Sequence, residues 1–173
     1  MTLLKTPICE FGKKAENFKL KSTDNKVIDL NDVKGKNGTL IMFICNHCPY
    51  VVATIEDIVK TTNELKNNDI NSIAIMSNDP TEHPEDSFEN MIEFAKKYNF
   101  NFPYVIDEDQ LVAKKYDAVC TPDFFGFNSN LELQYRGRIY EINNRVRVKY
   151  SKNELLESMI NVAKTSKGPE IQS

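Results

Sequence analysis

No stretch of this sequence stays apolar for long. The longest such run, Leu40 to Ile44, falls far short of the roughly 20 residues that a membrane-spanning helix needs, so no membrane partner is expected. The opening stretch MTLLKTPICEFGKKAENF has no apolar segment ahead of Lys13 and Lys14 and no small-residue cleavage pattern. It does not read as a secretory leader, and the cytoplasm is the expected compartment. A surplus of positive charge is missing too: 22 Lys and Arg face 25 Asp and Glu, for a net charge of −3. Nothing in that balance draws the chain to phosphate backbones, so no nucleic-acid partner is expected. The densest basic stretch, Arg136, Arg138, Arg145, Arg147 and Lys149, reads as a solvated face. Glycine and proline are sparse, 6 and 7, which excludes a fibrous or low-complexity chain. At 173 residues the chain suits one domain with a full core.

What is present reads as an alternating α/β chain. Residues 1–14 form an extension, 15–165 the domain and 166–173 a flexible tail. Phe18, Leu20, Val27, Ile28 and Leu30 around Asp24-Asn25 predict an N-terminal β-hairpin. Leu40 to Ile44 fits a strand covered on both faces, and Val51, Val52, Ile55, Ile58, Val59 and Leu65 recur at helical spacing from Pro49, a residue suited to a first helical turn. A second strand is expected over Ile70 to Met76. A helix is expected from Pro84, with Glu82, Glu85 and Asp86 at its positive end, and its stripe is Phe88, Met91, Ile92, Ala95 and Tyr98. Pro103 to Ile106 reads as a third strand, Gln110 to Tyr116 as a helical turn, and Phe124 to Tyr135 as an antiparallel hairpin. Ser151 with Glu154 reads as the capping box of a closing helix, which Gly168-Pro169 ends. Helical crossovers make the early strands parallel. The expected fold is a central mixed β-sheet with helices on both faces.

Four cysteines, Cys9, Cys45, Cys48 and Cys120, in a reducing compartment point to redox catalysis or metal binding more than to structural bridges. Cys45-Asn46-His47-Cys48 stands where a buried strand hands over to a helix. N–H groups at a helix N-terminus stabilise a thiolate there, so Cys45 is the expected nucleophile. Cys48, one turn on and expected to be the more buried, is the resolving thiol that attacks the mixed disulfide. Zinc uses the same spacing, but usually with a second close ligand pair that this chain lacks. Thr121-Pro122, opening the late hairpin, would leave backbone free to pair with a substrate chain, and its peptide bond is expected to be cis.

F-I-C-N-H-C-P-Y, followed some way on by C-T-P-D-F-F, resembles thioredoxin-like proteins of the alkyl hydroperoxide reductase and thiol-specific antioxidant (redoxin) family. The loop S-N-D-P with Pro84, Glu85, Asp86 and Ser87 resembles it as well. The resemblance implies a thioredoxin fold, Cys45 and Cys48 as the redox pair, and Pro122 as a cis-proline facing them beside Thr121. It implies a thiol–disulfide oxidoreductase with no cofactor, acting on a disulfide-containing protein or small molecule and re-reduced by a cellular thiol. A peroxidase of this family would use P-x-x-x-T-x-x-C, whereas Met42 stands three before Cys45, and Arg136 and Arg138 lie past the hairpin turn. Thiol peroxidase is therefore the alternative activity. A copper or zinc site from Cys45, Cys48 and either His47 or Cys120 is a more distant one.

Other candidates carry smaller roles. His47 could donate to the Cys45 thiolate or lie beside it as an imidazolium. If that moved the potential to about −120 to −200 mV, a cytosolic poise of roughly −220 to −320 mV would hold the pair as a dithiol. Cys120 reads as a small buried hydrophobe near the active face, Cys9 as an incidental thiol and His83 as a loop residue. Asp123 could assist proton transfer to Cys48.

Overall fold

The computed structural model describes residues 7–172. Residues 1–6 of the expected extension and Ser173 of the expected tail lie outside the described residues. The chain begins its sheet with a hairpin, β1 (Lys19–Ser22) and β2 (Val27–Asp29). The turn is closed by the Asn25 amide donating to the Ser22 carbonyl (2.8 Å), with Asn25 at φ 63°, a left-handed conformation that asparagine tolerates better than most residues. Asp29 caps the short helix α1 (Leu30–Val33) in a capping box with Asp32. Then follow β3 (Gly38–Phe43), α2 (Pro49–Lys66), β4 (Ile70–Met76), a 3₁₀ turn (Pro84–Asp86), α3 (Phe88–Lys97), β5 (Tyr104–Ile106), α4 (Leu111–Tyr116), β6 (Asp123–Asn128), β7 (Leu133–Gly137), β8 (Ile142–Asn143), β9 (Val146–Arg147) and α5 (Glu154–Thr165).

Seven strands make one sheet in the order β2-β1-β5-β4-β3-β6-β7. β3, β4 and β5 are parallel, while β6 and β7 run antiparallel. The N-terminal hairpin joins the same sheet, because β1 pairs antiparallel with β5. Alternation along β3 sends Leu40 and Met42 to a core with Ile55 and Ile58 of α2, Met91 of α3 and Met159 of α5. Ile41 and Phe43 point the other way, to a core with α1 and with Val112 and Tyr116 of α4. With helices on both faces, the central strand is buried along its whole length, which is why its sequence is continuously apolar. Gly126 lets α5 lie close on β6, since a Cβ there would collide with the Met159 side chain. Among the described residues, no helix is long and apolar enough to cross a membrane.

Four local readings change. The cap of α5 is Asn153, whose side chain accepts from the Leu156 amide, not Ser151. The expected helix from Pro84 is two pieces: a 3₁₀ turn ends at Asp86, and Ser87 caps α3 by accepting from the Asn90 amide. The basic stretch is no uniform solvated face. It contains the β8–β9 hairpin, and Arg136 is buried, 3.0 Å from the equally buried Asp123 carboxylate. The segment after α5 lies along β7, where the Gln172 amide donates to the Gln134 carbonyl (2.8 Å) and its oxygen accepts from the Arg136 amide (2.8 Å).

Candidate active site

β3 ends at Phe43, but the Ile44 amide still donates to the Ile75 carbonyl (3.0 Å), so Cys45 leaves the sheet at its edge. Asn46 and His47 turn the chain, Cys48 takes the N-cap position of α2, and Pro49 fills the first helical turn, where no amide donor is needed. From across the sheet the Thr121-Pro122 loop closes on this turn, and its peptide bond is cis, as expected. Thr121 contacts both thiols: its Oγ1 lies 3.3 Å from Cys45 Sγ, and its carbonyl accepts from the Cys48 thiol at 3.2 Å.

The pair is a dithiol, and its burial reverses the expected order. Cys45 is 1% exposed, whereas Cys48 is half-buried. Each thiol is the largest influence on the ionisation of the other. Cys45 pushes Cys48 down to about 5, with help from Thr121 and from the Val51 and Tyr50 amides, against the opposing effect of burial. Cys45 moves upward, first through Cys48, then through burial and the nearby Asp86 charge. With one thiol lowered and the other raised, the reduced pair holds one proton between its two sulfurs across neutral pH.

The turn is held from below by Asp86, which is fully buried. Its Oδ1 accepts from the Asn46 amide (2.7 Å), and its Oδ2 from His47 Nδ1 (2.6 Å) and Asn78 Nδ2 (2.8 Å). Tyr104, a fully enclosed phenol that burial keeps protonated, donates to Asn46 Oδ1 (2.9 Å). His47 thus pairs with Asp86 rather than donating to Cys45, and the His83 ring stacks on it at 4.2 Å and 16°. Residue types alone mark Asp86 as an acid favourable near a helix start. Its inward turn depends on the break between the 3₁₀ turn and α3. Asn78 lies in the S-N-D-P loop that carries part of the family resemblance, with no role attached to it, and Tyr104 carried no sequence signal beyond lying in a buried strand.

The remaining candidates separate. Asp123 faces Arg136 and not Cys48. Arg136 also donates to the Asp117 carbonyl (2.6 Å) and lies over the Phe125 ring at 4.4 Å. Cys9 is buried in the core on that same face, and burial pushes its thiol up to about 11. Cys120 is half-buried and lines a cleft of about 350 Å³ beside Thr121, together with Ser77, Asn78, Gln110 and Lys114. Among the described residues the close grouping of metal-capable side chains is Cys45, His47 and Asp86, with one donor atom from each lying within 4.8 Å of the others. Cys120 is not part of it.

Three comparisons place this arrangement. A crystal structure of an uncharacterized conserved protein from Geobacillus kaustophilus superposes with a TM-score of 0.92 at 38% identity, covering 100% of this chain and 92% of that one. The thiol-disulfide oxidoreductase ResA of Bacillus subtilis is 29% identical over 117 residues, which is 68% of this chain and 61% of that protein. The chain thus spans less than two thirds of the length of the curated relatives it matches. A secreted disulfide oxidoreductase of Mycobacterium tuberculosis, at 14% identity and a TM-score of 0.63 over 84% of this chain and 95% of that one, shares the thioredoxin fold. The AhpC/TSA family profile matches residues 11–145, a span that takes in the seven-stranded sheet and every residue around the cysteine pair, and the chain belongs to that family.

Proposed function

We propose that this protein is a thiol–disulfide oxidoreductase whose exchange chemistry runs through Cys45 and Cys48. The observation that carries the reading is two thiols at the N-terminus of α2, each in hydrogen-bond contact with Thr121, the residue before a cis-proline. Cys45, as thiolate, attacks one sulfur of a disulfide substrate, forming a mixed disulfide and expelling the other sulfur as a thiolate. Cys48 then attacks Cys45 Sγ, closing the Cys45–Cys48 disulfide and releasing the second substrate thiol. A cellular thiol reductant returns the pair to the dithiol, and the cytoplasm is the proposed compartment. Pro122 has no amide hydrogen, and a substrate strand laid on this loop would pair with its neighbours.

The division of roles follows the order of cysteines in the resembled motif. Burial argues the other way, because Cys48 is the accessible sulfur of the resting dithiol. Attack by Cys45 therefore requires the Cys45–Cys48 turn to open and the shared proton to pass to Cys48. The test is a trap. Cys48→Ser should retain a stable mixed disulfide with an aromatic disulfide reagent, seen by mass spectrometry at Cys45, and Cys45→Ser should not turn over a disulfide reporter in the presence of reductant. Undiminished turnover by Cys45→Ser would refute the proposal. A stable mixed disulfide at Cys48 in Cys45→Ser, with none at Cys45 in Cys48→Ser, would exchange the two roles.

A further inference from the structure

Asp86 is held by three hydrogen bonds but, among the described residues, by no permanently charged partner. It is fully buried, and among the described ion pairs its partner is His47, an imidazole that is a cation only when protonated. Burying a carboxylate without a fixed counter-charge is costly. The groups it faces are a second potential anion and a second potential ligand: Cys45 Sγ, a His47 ring nitrogen and an Asp86 oxygen all lie within 4.8 Å of one another. A thiolate, an imidazole and a carboxylate together are the donor set of a borderline divalent ion, zinc above others, and three protein ligands leave its fourth tetrahedral position open. Zinc–ligand distances of about 2.0 to 2.3 Å place donor atoms roughly 3.5 Å apart. Cys45 would move in slightly, and the 2.6 Å contact between His47 and Asp86 would widen as the metal replaces their shared proton.

We infer that the reduced protein binds one zinc ion through Cys45, His47 and Asp86, and that this ion blocks disulfide exchange. Binding releases the Cys45 thiol proton to solvent and leaves a zinc-bound thiolate, while the proton between His47 Nδ1 and Asp86 moves to His47 Nε2, so that a neutral imidazole presents its lone pair to the ion. The blocking part rests on the oxidoreductase reading above. When the Cys45–Cys48 disulfide forms at the expense of a disulfide substrate, Cys45 is no longer a thiolate, and the ion leaves as Zn²⁺ with no change in its own oxidation state. Asn78 and the Asn46 amide, both donating to Asp86, orient the carboxylate as outer partners.

The experiment titrates zinc against a chromophoric chelator, using full-length, untagged protein reduced by a non-thiol reagent. One equivalent should bind to the dithiol and none to the disulfide form. His47→Gln, at a partly exposed position, and Asp86→Asn should each weaken affinity at least about tenfold. Cys45→Ser should weaken it further, and Cys48→Ser should matter less than His47→Gln. Circular dichroism of each variant identifies any loss through misfolding. If Asp86→Asn fails to fold, His47→Gln decides. Absence of binding to the dithiol overturns the inference, as does equal loss in Cys45→Ser and Cys48→Ser with His47→Gln unchanged, which describes a plain dithiol chelate. Zinc binding is measured without turnover, so these outcomes stand apart from the cysteine trap that tests exchange.

Discussion

A single proton held between two sulfurs sets what this site does with pH. Cys48 is pushed down to about 5, chiefly by Cys45, while Cys45 is pushed up. Reducing the disulfide therefore takes up two protons below about pH 5 and one above it. For a two-electron couple each proton contributes about 30 mV per pH unit. The reduction potential should fall by about 30 mV per unit between pH 6 and 8, and by about 59 mV per unit below pH 5. Equilibration of the protein with a thiol redox buffer across that range measures the slope, and a slope near 59 mV persisting to pH 8 would contradict the shared proton. The folding linkage has the same origin. A thiol ionising at about 5 in the folded protein and near 9.0 when unfolded stabilises the folded dithiol most near pH 9, beyond which the raised Cys45 offsets the gain. That contribution shrinks as pH falls toward 5 and is lost below it. At this scale the pairing of Cys45 with Cys48 beside a cis-proline was legible in the sequence, because each rests on a short local pattern. The sequence marked Asp86 only as an acid near a helix start and a member of the resembled loop, because its role depends on a side chain arriving from a turn some forty residues away in sequence.

Elements were legible where their period was unambiguous. β4 spans Ile70–Met76 as expected, and α2 begins at Pro49, because a buried run and a helical stripe each admit one structure. Caps were less so. Ser151 and Glu154 have capping-box spacing, yet Asn153 occupies the cap, accepting from the Leu156 amide at 3.0 Å and donating to Thr61 Oγ1 of α2 at 2.7 Å. The second bond decides the competition, since it ties the start of α5 to its neighbour, which Ser151 does not do. Asn153→Ala should lower stability by about 1 kcal/mol and by more if the Thr61 hydroxyl is left unsatisfied. Ser151→Ala should change it by less than about 0.5 kcal/mol. Urea unfolding of the two variants checks the ordering, and equal effects would return the cap to Ser151. The same competition explains α3: Ser87, not Pro84, supplies the first side-chain acceptor, so Asp86 just ahead of it is free to turn inward while Glu85 stays exposed.

Across the whole molecule, the two faces of the sheet divide the work. One end of β3 delivers the cysteines to the N-terminus of α2. Behind the sheet, Arg136 gathers segments that are distant in sequence. It is ion-paired with Asp123 of β6, donates to the Asp117 carbonyl beyond α4, lies over the Phe125 ring and donates its backbone amide to the Gln172 side-chain oxygen. Composition made Arg136 one charge among five in a basic stretch. Alternation along β7 could not separate it, because every residue of that strand is buried. Burial raises Asp123 and the guanidinium opposes that rise, so the carboxylate depends on its partner. Removing one member of a buried pair strands the other, at a cost of about 3–5 kcal/mol. Arg136→Met keeps much of the side-chain volume and should cost that much at neutral pH. The loss should be smaller in acid, because an unpaired Asp123 ionises only at higher pH than in the unfolded chain and is uncharged there. Chemical denaturation at pH 7 and pH 4 measures the difference. If Arg136→Met also abolished disulfide exchange while the fold remained intact, the separation between the structural face and the reactive edge would be wrong. Retained exchange in a destabilised protein is the outcome that this architecture requires.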